Sequence, residues 1–173
     1  MSVENIKRAI RDIPDFPQPG VIFKDITPLL NRADLFREAI DLMGEEFAAN
    51  PPGLIACVEA RGFILGSALA YKLGAGLVPV RKEGKLPHKT RKASFELEYG
   101  KATVEVHEDA ILPGVRVLIV DDVLATGGTL AATVDMVEGF GAKIVGISVL
   151  IELDFLGGRK KISRYPLYSL IHY

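Results

Sequence analysis

The sequence predicts an α/β fold in which a central parallel sheet is flanked by helices. Short runs of apolar, β-branched residues alternate with longer stretches whose apolar residues recur at helical spacing, a pattern typical of parallel strands joined by right-handed crossovers. Two alternating segments around Tyr99 and Gly100 predict an antiparallel hairpin flap beside this sheet. With 173 residues and no internal repeat or linker composition, the chain is expected to form a single domain over residues 1–173.

The first 30 residues predict a helix followed by an irregular segment. A short amphipathic helix is expected from four apolar residues that share one helical face, Val3, Ile6, Ile10 and Ile13. Prolines and a glycine in residues 14–20 should end this helix. Residues 21–30 mix apolar and polar side chains without a clean period. This predicts either a loop packed over the core or a lid whose backbone faces a ligand.

The rest of the chain alternates strand and helix signals. The expected elements are helix 33–49, strand 54–58, helix 63–73 closed by Gly74, strand 76–80, hairpin 94–108, strand 115–120, a helix from Leu130, strand 143–150 and strand 165–171. Ligands of such sheets bind beyond the carboxyl ends of the strands. Three polar groups follow strands and should share that edge, namely residues 59–61, 81–82 and 121–122.

The most informative stretch is the loop that follows strand 115–120. Two acids, Asp121 and Asp122, come first, and a loop of small residues then opens a helix: Ala125, Thr126, Gly127, Gly128 and Thr129. Backbone N–H groups of such a loop can converge on an anion. The loop has no lysine, which excludes the nucleoside triphosphate P-loop. Two carboxylates repel a bare phosphate, so the pattern favours a ribose 5-phosphate, with its hydroxyls on the acids. The acids alone also fit a Walker-B-like metal corner or a solvated strand end.

A strongly basic run covers residues 81–92. Its cations are Arg81, Lys82, Lys85, Lys89, Arg91 and Lys92, against the single acid Glu83. It could be a solvated loop, and a nucleic-acid patch is disfavoured because aromatic residues are not interleaved. Since it leaves a strand end at the ligand edge, it could also be a mobile loop that neutralises a diphosphate and excludes water. Residues 81–108 are therefore expected to form a flexible basic loop and hairpin flap.

Composition narrows the functional classes. The formal net charge of −1 gives no general attraction to nucleic acid or to a membrane, and no apolar run approaches the length of a membrane span. Cys57 lies in an apolar run and, as the single cysteine, cannot form an internal disulfide. We find no signal-peptide pattern. A reducing, cytoplasmic location is expected.

Several stretches together resemble the adenine phosphoribosyltransferases, a branch of the type I phosphoribosyltransferases. They are FPQPGVIFKDITPLL, EARGFILG, VRKEGKLP, LEYG, VLIVDDVLATGGT and the ending YSLIHY, which occur in order over nearly the whole chain. The resemblance implies a type I phosphoribosyltransferase fold with an antiparallel hood. It also implies a purine-salvage reaction in which adenine and 5-phosphoribosyl 1-diphosphate give AMP and diphosphate. Magnesium would be carried by the sugar diphosphate without a direct protein ligand, and the enzyme would be a homodimer.

The resemblance also implies roles for individual residues. The 5′-phosphate would bind to Ala125, Thr126, Gly127, Gly128 and Thr129, and the ribose hydroxyls to Asp121 and Asp122. The diphosphate would meet Glu59, Ala60, Arg61, Arg81, Lys82 and Lys85, with Arg81 offered by a neighbouring subunit. Adenine would be read by Ile22, Phe23, Lys24 and Leu153, with residues 1–30 forming a lid over the base and Phe23 and Leu153 on its two faces. Lys24 stands where relatives often have arginine, which matters little where the backbone reads the base. Glu98 and Tyr99 would enter on the flap.

The sequence is compatible with two acid/base groups and with more than one function. The acid/base group that handles the N9 proton of adenine is either Glu98 or Asp122. Related domains also include regulators that sense ribosyl diphosphate, but these usually add a DNA-binding segment, and no helix-turn-helix pattern occurs here. Enzymes specific for xanthine or a pyrimidine are a further alternative.

Overall fold

The computed structural model describes residues 3–97 and 100–173, which form two compact units that divide between Leu42 and Met43. The elements in chain order are α1 (Val3–Arg8), β1 (Arg11–Pro14), β2 (Ile22–Asp25), α2 (Thr27–Leu30), α3 (Ala33–Ala48), β3 (Leu54–Val58), α4 (Arg61–Leu73), β4 (Gly76–Lys82), β5 (Thr90–Leu97), β6 (Gly100–His107), β7 (Arg116–Leu124), α5 (Gly128–Gly139), β8 (Lys143–Glu152) and β9 (Leu167–His172), with 3-10 turns at Asp154–Leu156 and Gly158–Ile162. Within these described ranges, every helix is too short or too polar to cross a membrane.

The first unit corrects two expectations about residues 1–30. The helix expected to include Ile13 ends at Arg8, because residues 11–14 form β1 and pair antiparallel with β2. An ion pair between Arg11 and Asp25, 2.7 Å long, joins the two strands and favours pairing over continued helix. The segment expected to be irregular contains β2 and the helical turn α2, which a proline opens. Local helical spacing therefore gave way to strand pairing.

The second unit confirms the predicted fold class. Its seven-stranded sheet has the order β5-β6-β4-β3-β7-β8-β9. Strands β4, β3, β7, β8 and β9 run parallel, whereas β6 is antiparallel to both β4 and β5. The hairpin of β5 and β6 thus extends the sheet at one edge.

Helices cover both faces of the parallel strands. On one face, Ala56 and Val58 of β3 share a buried cluster with Leu130 and Val134 of α5. On the other face, Gly66 of α4 lies so close to β3 that an added Cβ would be 2.5 Å from Cys57 Cβ. As predicted, Gly74 ends α4 in the left-handed conformation, with φ of 66°. Successive side chains of β3 therefore pack against α5 on one face and against α4 on the other, as is typical of parallel sheets covered on both faces.

Three strand boundaries differ from expectation at the functional edge. β7 does not stop at Val120 but continues through both aspartates to Leu124, because its pairing with β8 continues to Glu152. β4 likewise includes Arg81 and Lys82, and β5 begins at Thr90. The basic run is therefore a loop over residues 83–89 only, with strand on either side.

Candidate active site

The candidate site lies where the sheet order reverses. From β3, the chain passes through α4 to β4 on one side, whereas from β7 it passes through α5 to β8 on the other. Such a switch point leaves a crevice at the carboxyl ends of the two central strands. An added Cβ on Gly62 would lie 3.0 Å from Asp121 Oδ1, so α4 begins in direct contact with β7. The fold thus brings residues 59–61 beside the two aspartates, as predicted.

Asp121 and Asp122 form a buried acidic pair. The backbone N–H of Asp122 donates to Asp121 Oδ1 at 2.8 Å, and Arg61 Nη2 lies 2.7 Å from Asp122 Oδ2. This second contact is an ion pair without hydrogen-bond geometry, so Asp122 Oδ2 is buried without a hydrogen-bond donor among the residues that the structure describes. The pair can therefore still accept hydrogen bonds from a ligand.

Burial dominates the ionisation of this pair. It raises the pKa of Asp121 well above the ordinary value, and the neighbouring charge of Asp122 raises it further. Burial also raises the pKa of Asp122, although the Arg61 guanidinium opposes the shift. A carboxylate with a raised pKa is a better proton acceptor near neutral pH. Asp122 is therefore a stronger proton acceptor than an exposed aspartate.

A second ion pair orders the opposite wall. Arg81 Nε donates to Glu59 Oε2 at 2.7 Å, and Arg81 Nη1 donates to the carbonyl of Lys85 at 3.1 Å. Three residues assigned to the diphosphate on the basis of the resemblance are therefore joined to one another. The charge of Arg81 is offset by Glu59 in this arrangement.

A cavity of about 630 Å³ opens between these walls. The predicted residues along it are Glu59, Ala60, Arg61, Lys82, Asp121, Asp122 and Thr129. Arg81 and Lys85 are not among the described residues that line it. Phe95 and Thr103 of the hairpin line it as well, and the sequence did not point to them. The hairpin therefore closes one side of the crevice.

The small-residue loop surrounds a separate hollow of about 70 Å³. All five predicted phosphate residues line it, Ala125, Thr126, Gly127, Gly128 and Thr129. Gly127 adopts φ of 79° and caps the twelve-residue helix α5. The N–H groups of a first helical turn have no partner within the helix, and the helix dipole favours an anion there. Since Asp121 and Thr129 line both hollows, an anion in the loop would adjoin the acidic pair.

The hairpin is fixed to both ends of α5. An added Cβ on Gly128 would lie 3.1 Å from Phe95 Cδ2, so the Phe95 ring packs on the first turn. At the other end, Arg91 Nη1 donates to the carbonyl of Gly139 at 2.5 Å, and its guanidinium lies 4.5 Å from the Phe140 ring centroid. Glu98 and Tyr99, the predicted flap residues, lie outside the described residues.

Glu105 fixes the basic loop, and nothing in the sequence indicated this role. Its buried carboxylate accepts the N–H groups of Lys85 and Leu86, each at 3.0 Å, and the Thr90 hydroxyl at 3.1 Å. Although burial alone would raise the pKa of Glu105, these donors hold the pKa below the ordinary value. The loop between Lys82 and Thr90 is therefore organised around a charged side chain on β6.

The residues predicted to read adenine lie in two places. In the first unit, β2 carries Ile22, which is 55% exposed, Phe23, whose ring packs edge-on against Phe16 at 5.2 Å, and Lys24, which pairs with Asp12 at 2.7 Å. As part of a two-stranded sheet, β2 has one edge whose backbone groups are not used in that sheet. In the second unit, Leu153 donates its N–H to the carbonyl of Leu124, which ends β7.

One further acidic group could in principle hold a metal. Ligand atoms of Glu152, Asp154 and His172 lie within 4.8 Å of one another. The carboxylate of Glu152, however, is already bonded to Arg159 and Ser169. A metal would have to compete with these donors, so this group is better explained as a structural network.

Known proteins resemble this chain over almost its full length. The phosphoribosyl transferase domain family matches residues 25–170. An adenine phosphoribosyltransferase from Solidesulfovibrio magneticus is 55% identical over 167 residues, which cover 96% of this chain and 98% of the relative. A crystal structure of the adenine phosphoribosyltransferase from Thermoanaerobacter pseudethanolicus matches with a TM-score of 0.97 and 50% identity, covering 99% of this chain and 100% of the other.

A third relative has been solved with two ligands bound. The adenine phosphoribosyltransferase from Saccharomyces cerevisiae, solved in complex with an imino-altritol bisphosphate and adenine, matches with a TM-score of 0.92 and 40% identity. The match covers 97% of each chain. That relative therefore binds a purine and a bisphosphorylated sugar analogue on the same fold.

Proposed function

The chain belongs to the adenine phosphoribosyltransferase family, and on that premise we propose that it converts adenine and 5-phosphoribosyl 1-diphosphate into AMP and diphosphate. The observation that carries this proposal is the position of the phosphate hollow next to the buried acidic pair. A phosphate in the loop at residues 125–129 would leave the ribose over Asp121 and Asp122. Ribose hydroxyls would then supply donors to carboxylate oxygens, including Asp122 Oδ2, which is buried without one among the described residues.

The diphosphate is assigned to the remaining side of the cavity. Arg61 and Lys82 line that wall, together with Glu59 and Ala60. Lys85 and Arg81 are assigned to the diphosphate as well, with Arg81 offered by a neighbouring subunit. Arg81 donates to the Lys85 carbonyl, so the two residues are held as a unit. Cations placed here favour the negative charge that develops on the leaving diphosphate.

Magnesium fits this acidic corner as a companion of the sugar diphosphate. Carboxylate and phosphate oxygens are the ligands that magnesium prefers, and it commonly binds through substrate phosphates and one or two carboxylates. Asp121 and Asp122 are the carboxylates that would face it through water, since the ion would be carried by the sugar diphosphate. When bound, the ion would offset charge on the leaving diphosphate.

The protein residues can support a dissociative transfer. As the C1–O bond of the ribose breaks, positive character develops on the sugar, and the carboxylates of Asp121 and Asp122 would stabilise it. Adenine must lose its N9 proton when N9 bonds to C1. We assign that proton to Asp122 or Glu98, and the raised pKa of Asp122 supports Asp122.

Adenine specificity is assigned to β2 in the first unit, at the edge opposite β1. Adenine presents an acceptor at N1 and a donor at N6, whereas a 6-oxopurine reverses both. Backbone groups of Ile22 and Lys24 could read this pattern, with Phe23 supplying a ring face. A mismatched base would leave buried polar groups unpaired, which can discriminate by roughly 10⁴–10⁵-fold.

We also propose that the enzyme is a cytoplasmic homodimer. Ile64 and Tyr71 of α4, seven residues apart on one helical face, are 43% and 93% exposed, and Leu77 of β4 is 40% exposed. A second copy would cover such apolar side chains, as exposed apolar patches commonly mark interfaces. The single cysteine, buried at Cys57, is compatible with a reducing compartment. Sedimentation of the wild type and of Tyr71→Glu tests the dimer, and a monomeric wild type contradicts it.

A base panel tests the proposed reaction. AMP synthesis from adenine should be readily detected, with little product from hypoxanthine, guanine, xanthine or pyrimidines, and equal use of hypoxanthine contradicts the adenine assignment. Asp122→Asn should lower kcat by about 10²–10⁴-fold. Lys92→Ala should lose far less, because Lys92 is an exposed residue paired with Glu83 at 2.6 Å. A protein that binds ribosyl diphosphate but turns over no base would instead be a sensor.

A further inference from the structure

A glycine turn from a different part of the chain packs directly against the phosphate loop. An added Cβ on Gly158 would lie 2.2 Å from the carbonyl oxygen of Ala125 and 2.9 Å from the backbone nitrogen of Gly127. In the reverse direction, an added Cβ on Gly127 would lie 2.6 Å from the carbonyl oxygen of Gly158. The two backbones are therefore in contact with no side chain between them.

An ion pair between the buried Glu152 and the half-exposed Arg159 fixes this turn. Arg159 Nη2 donates to Glu152 Oε2 at 2.5 Å, and Arg159 Nε donates to Glu152 Oε1 at 2.9 Å. Glu152 is 4% exposed and ends β8, and Ser169 of β9 donates a further hydrogen bond to it at 2.5 Å. A bidentate pair between arginine and carboxylate fixes orientation as well as distance. The residue after Gly158 is thus held to the carboxyl end of β8.

The backbone before the turn is fixed to the same strands. Leu153 donates its N–H to Leu124 at 3.0 Å, immediately before the phosphate loop. Asp154 donates to the carbonyl of Tyr173 at 2.9 Å, and Tyr173 donates to the carbonyl of Glu152 at 3.0 Å. After the turn, Ile162 is buried in the same cluster as Leu124 and Leu130. The turn is therefore held from both sides.

We propose that Gly158 is a positioning residue for the 5′-phosphate loop and that the Glu152–Arg159 ion pair holds it in place. This inference depends on the proposed function, in which the loop binds the 5′-phosphate. Gly158 lies against backbone atoms of Ala125 and Gly127, two of the residues that line the phosphate hollow. A loop that binds an anion through backbone N–H groups depends on where those groups point. The turn at Gly158 fixes the direction of these N–H groups because its backbone leaves the phosphate loop no room to move toward Gly158.

The expected effect of a methyl group at this position is large. The distance of 2.2 Å to the Ala125 oxygen is far below any ordinary contact, so the loop must move away by on the order of 1 Å. A misplacement of that size can lower the rate at a well-oriented site by about 100-fold, and we expect phosphate binding to weaken by at least about 10-fold. Adenosine and adenine, which have no phosphate, should be much less affected.

The experiment compares Gly158→Ala with Gly53→Ala. Gly53 is a matched control because its added Cβ would meet the nearest atom at 3.5 Å, an ordinary contact. Calorimetry gives Kd for AMP, ribose 5-phosphate and adenosine, and kinetics gives KM for 5-phosphoribosyl 1-diphosphate and for adenine. We expect Gly158→Ala to bind AMP and ribose 5-phosphate at least about 10-fold more weakly, with adenosine within about twofold, and Gly53→Ala to resemble the wild type.

The outcomes separate this inference from the proposed function. A wild type that binds neither AMP nor ribose 5-phosphate contradicts the proposed function itself. A wild type that binds both, beside a Gly158→Ala protein that folds and binds them equally well, overturns the positioning role alone. If Gly158→Ala does not fold, Arg159→Lys decides, because it keeps the charge but loses the bidentate geometry. Arg159→Lys should raise Kd for AMP several-fold more than Kd for adenosine. An equal rise in Kd for both ligands overturns the inference.

Discussion

Replacing Glu105 by alanine should release the basic loop and weaken the capture of the sugar diphosphate. Its carboxylate accepts three hydrogen bonds of 3.0 to 3.1 Å from Lys85, Leu86 and Thr90. Each hydrogen bond to a charged group contributes about 1.5–3 kcal/mol, but water can replace part of this on a solvent-accessible loop. We therefore expect the free energy of unfolding to fall by about 2–4 kcal/mol. For a chain of this size, that lowers Tm by roughly 5–15 °C.

The same change should raise KM for 5-phosphoribosyl 1-diphosphate. Ordering the backbone of one residue costs about 1–2 kcal/mol, so a ligand that must order residues 85 and 86 again should bind roughly tenfold more weakly or worse. Glu105→Gln should be intermediate, since it keeps an acceptor oxygen. Because the donors lower the pKa of Glu105, its stabilisation is present above the ordinary value of 4.5 and is lost as pH falls through the lowered pKa.

Calorimetric Tm and steady-state kinetics check this prediction, with Glu108→Ala as the matched control. Glu108 follows the same strand, is exposed and contributes a backbone hydrogen bond to Lys89 that the substitution leaves intact. Kd for AMP should change little in Glu105→Ala, because AMP carries no diphosphate. A lowered Tm with an unchanged KM for the sugar diphosphate would refute the reasoning, since Glu105 would then support only the fold.

Three further predictions concern the buried groups of the second unit. Asp121→Asn should abolish most turnover yet raise Tm at neutral pH. Burial and the charge of Asp122 raise the pKa of Asp121, so the wild type loses stability as pH rises from the ordinary value of 3.8 through the raised pKa. Scanning calorimetry at several pH values should therefore show that the Tm of Asp121→Asn exceeds that of the wild type by an amount that grows with pH. Cys57 should resist alkylation at pH 8 in the folded protein, because burial raises the pKa of its thiol to about 12, and rapid labelling without denaturant contradicts this. Gly66→Ala should destabilise by about 1–3 kcal/mol through overpacking, because its Cβ would lie 2.5 Å from Cys57 Cβ, and a denaturation midpoint equal to that of the wild type contradicts it.

The parts of the site that could be predicted from the sequence are those whose signals are contiguous. The run from strand β7 through Asp121 and Asp122 to Gly127 and Gly128 carries its own strand, loop and helix signals, and the structure builds them in that order. The alternation of strands and helices then determines that residues 59–61 lie next to the acids, because parallel strands bring their carboxyl ends to one edge. Such predictions need only local chemistry and a topological rule.

The parts that could not be predicted depend on pairs distant in sequence. Glu105 lies between Val104 and Val106 in an alternating strand, a pattern that predicts a solvent-facing side chain. In the folded chain, residues 85, 86 and 90 donate hydrogen bonds to its buried carboxylate. The sequence around Gly158 predicts an ordinary turn, and the contact of Gly158 with Ala125 arises only in the folded chain. The helix prediction at Ile13 was wrong for the opposite reason. The apolar residues do have helical spacing, but residues 11–14 pair with β2 instead. Local pattern decides an element only where tertiary partners do not compete for it.

The charged residues of the candidate site form complementary pairs, and these pairs affect which ligand can bind. Arg61 lies 2.7 Å from Asp122, and Arg81 lies 2.7 Å from Glu59, so each arginine assigned to the diphosphate is oriented by an acid that lines the cavity. A phosphoribosyl diphosphate offers anionic oxygens to the arginines and hydroxyl donors to the acids, and it can therefore satisfy both partners of a pair at once. A bare diphosphate satisfies only the arginines and leaves a buried carboxylate uncompensated, which is costly. On the proposed assignment, we therefore expect the intact sugar diphosphate to bind more tightly than free diphosphate.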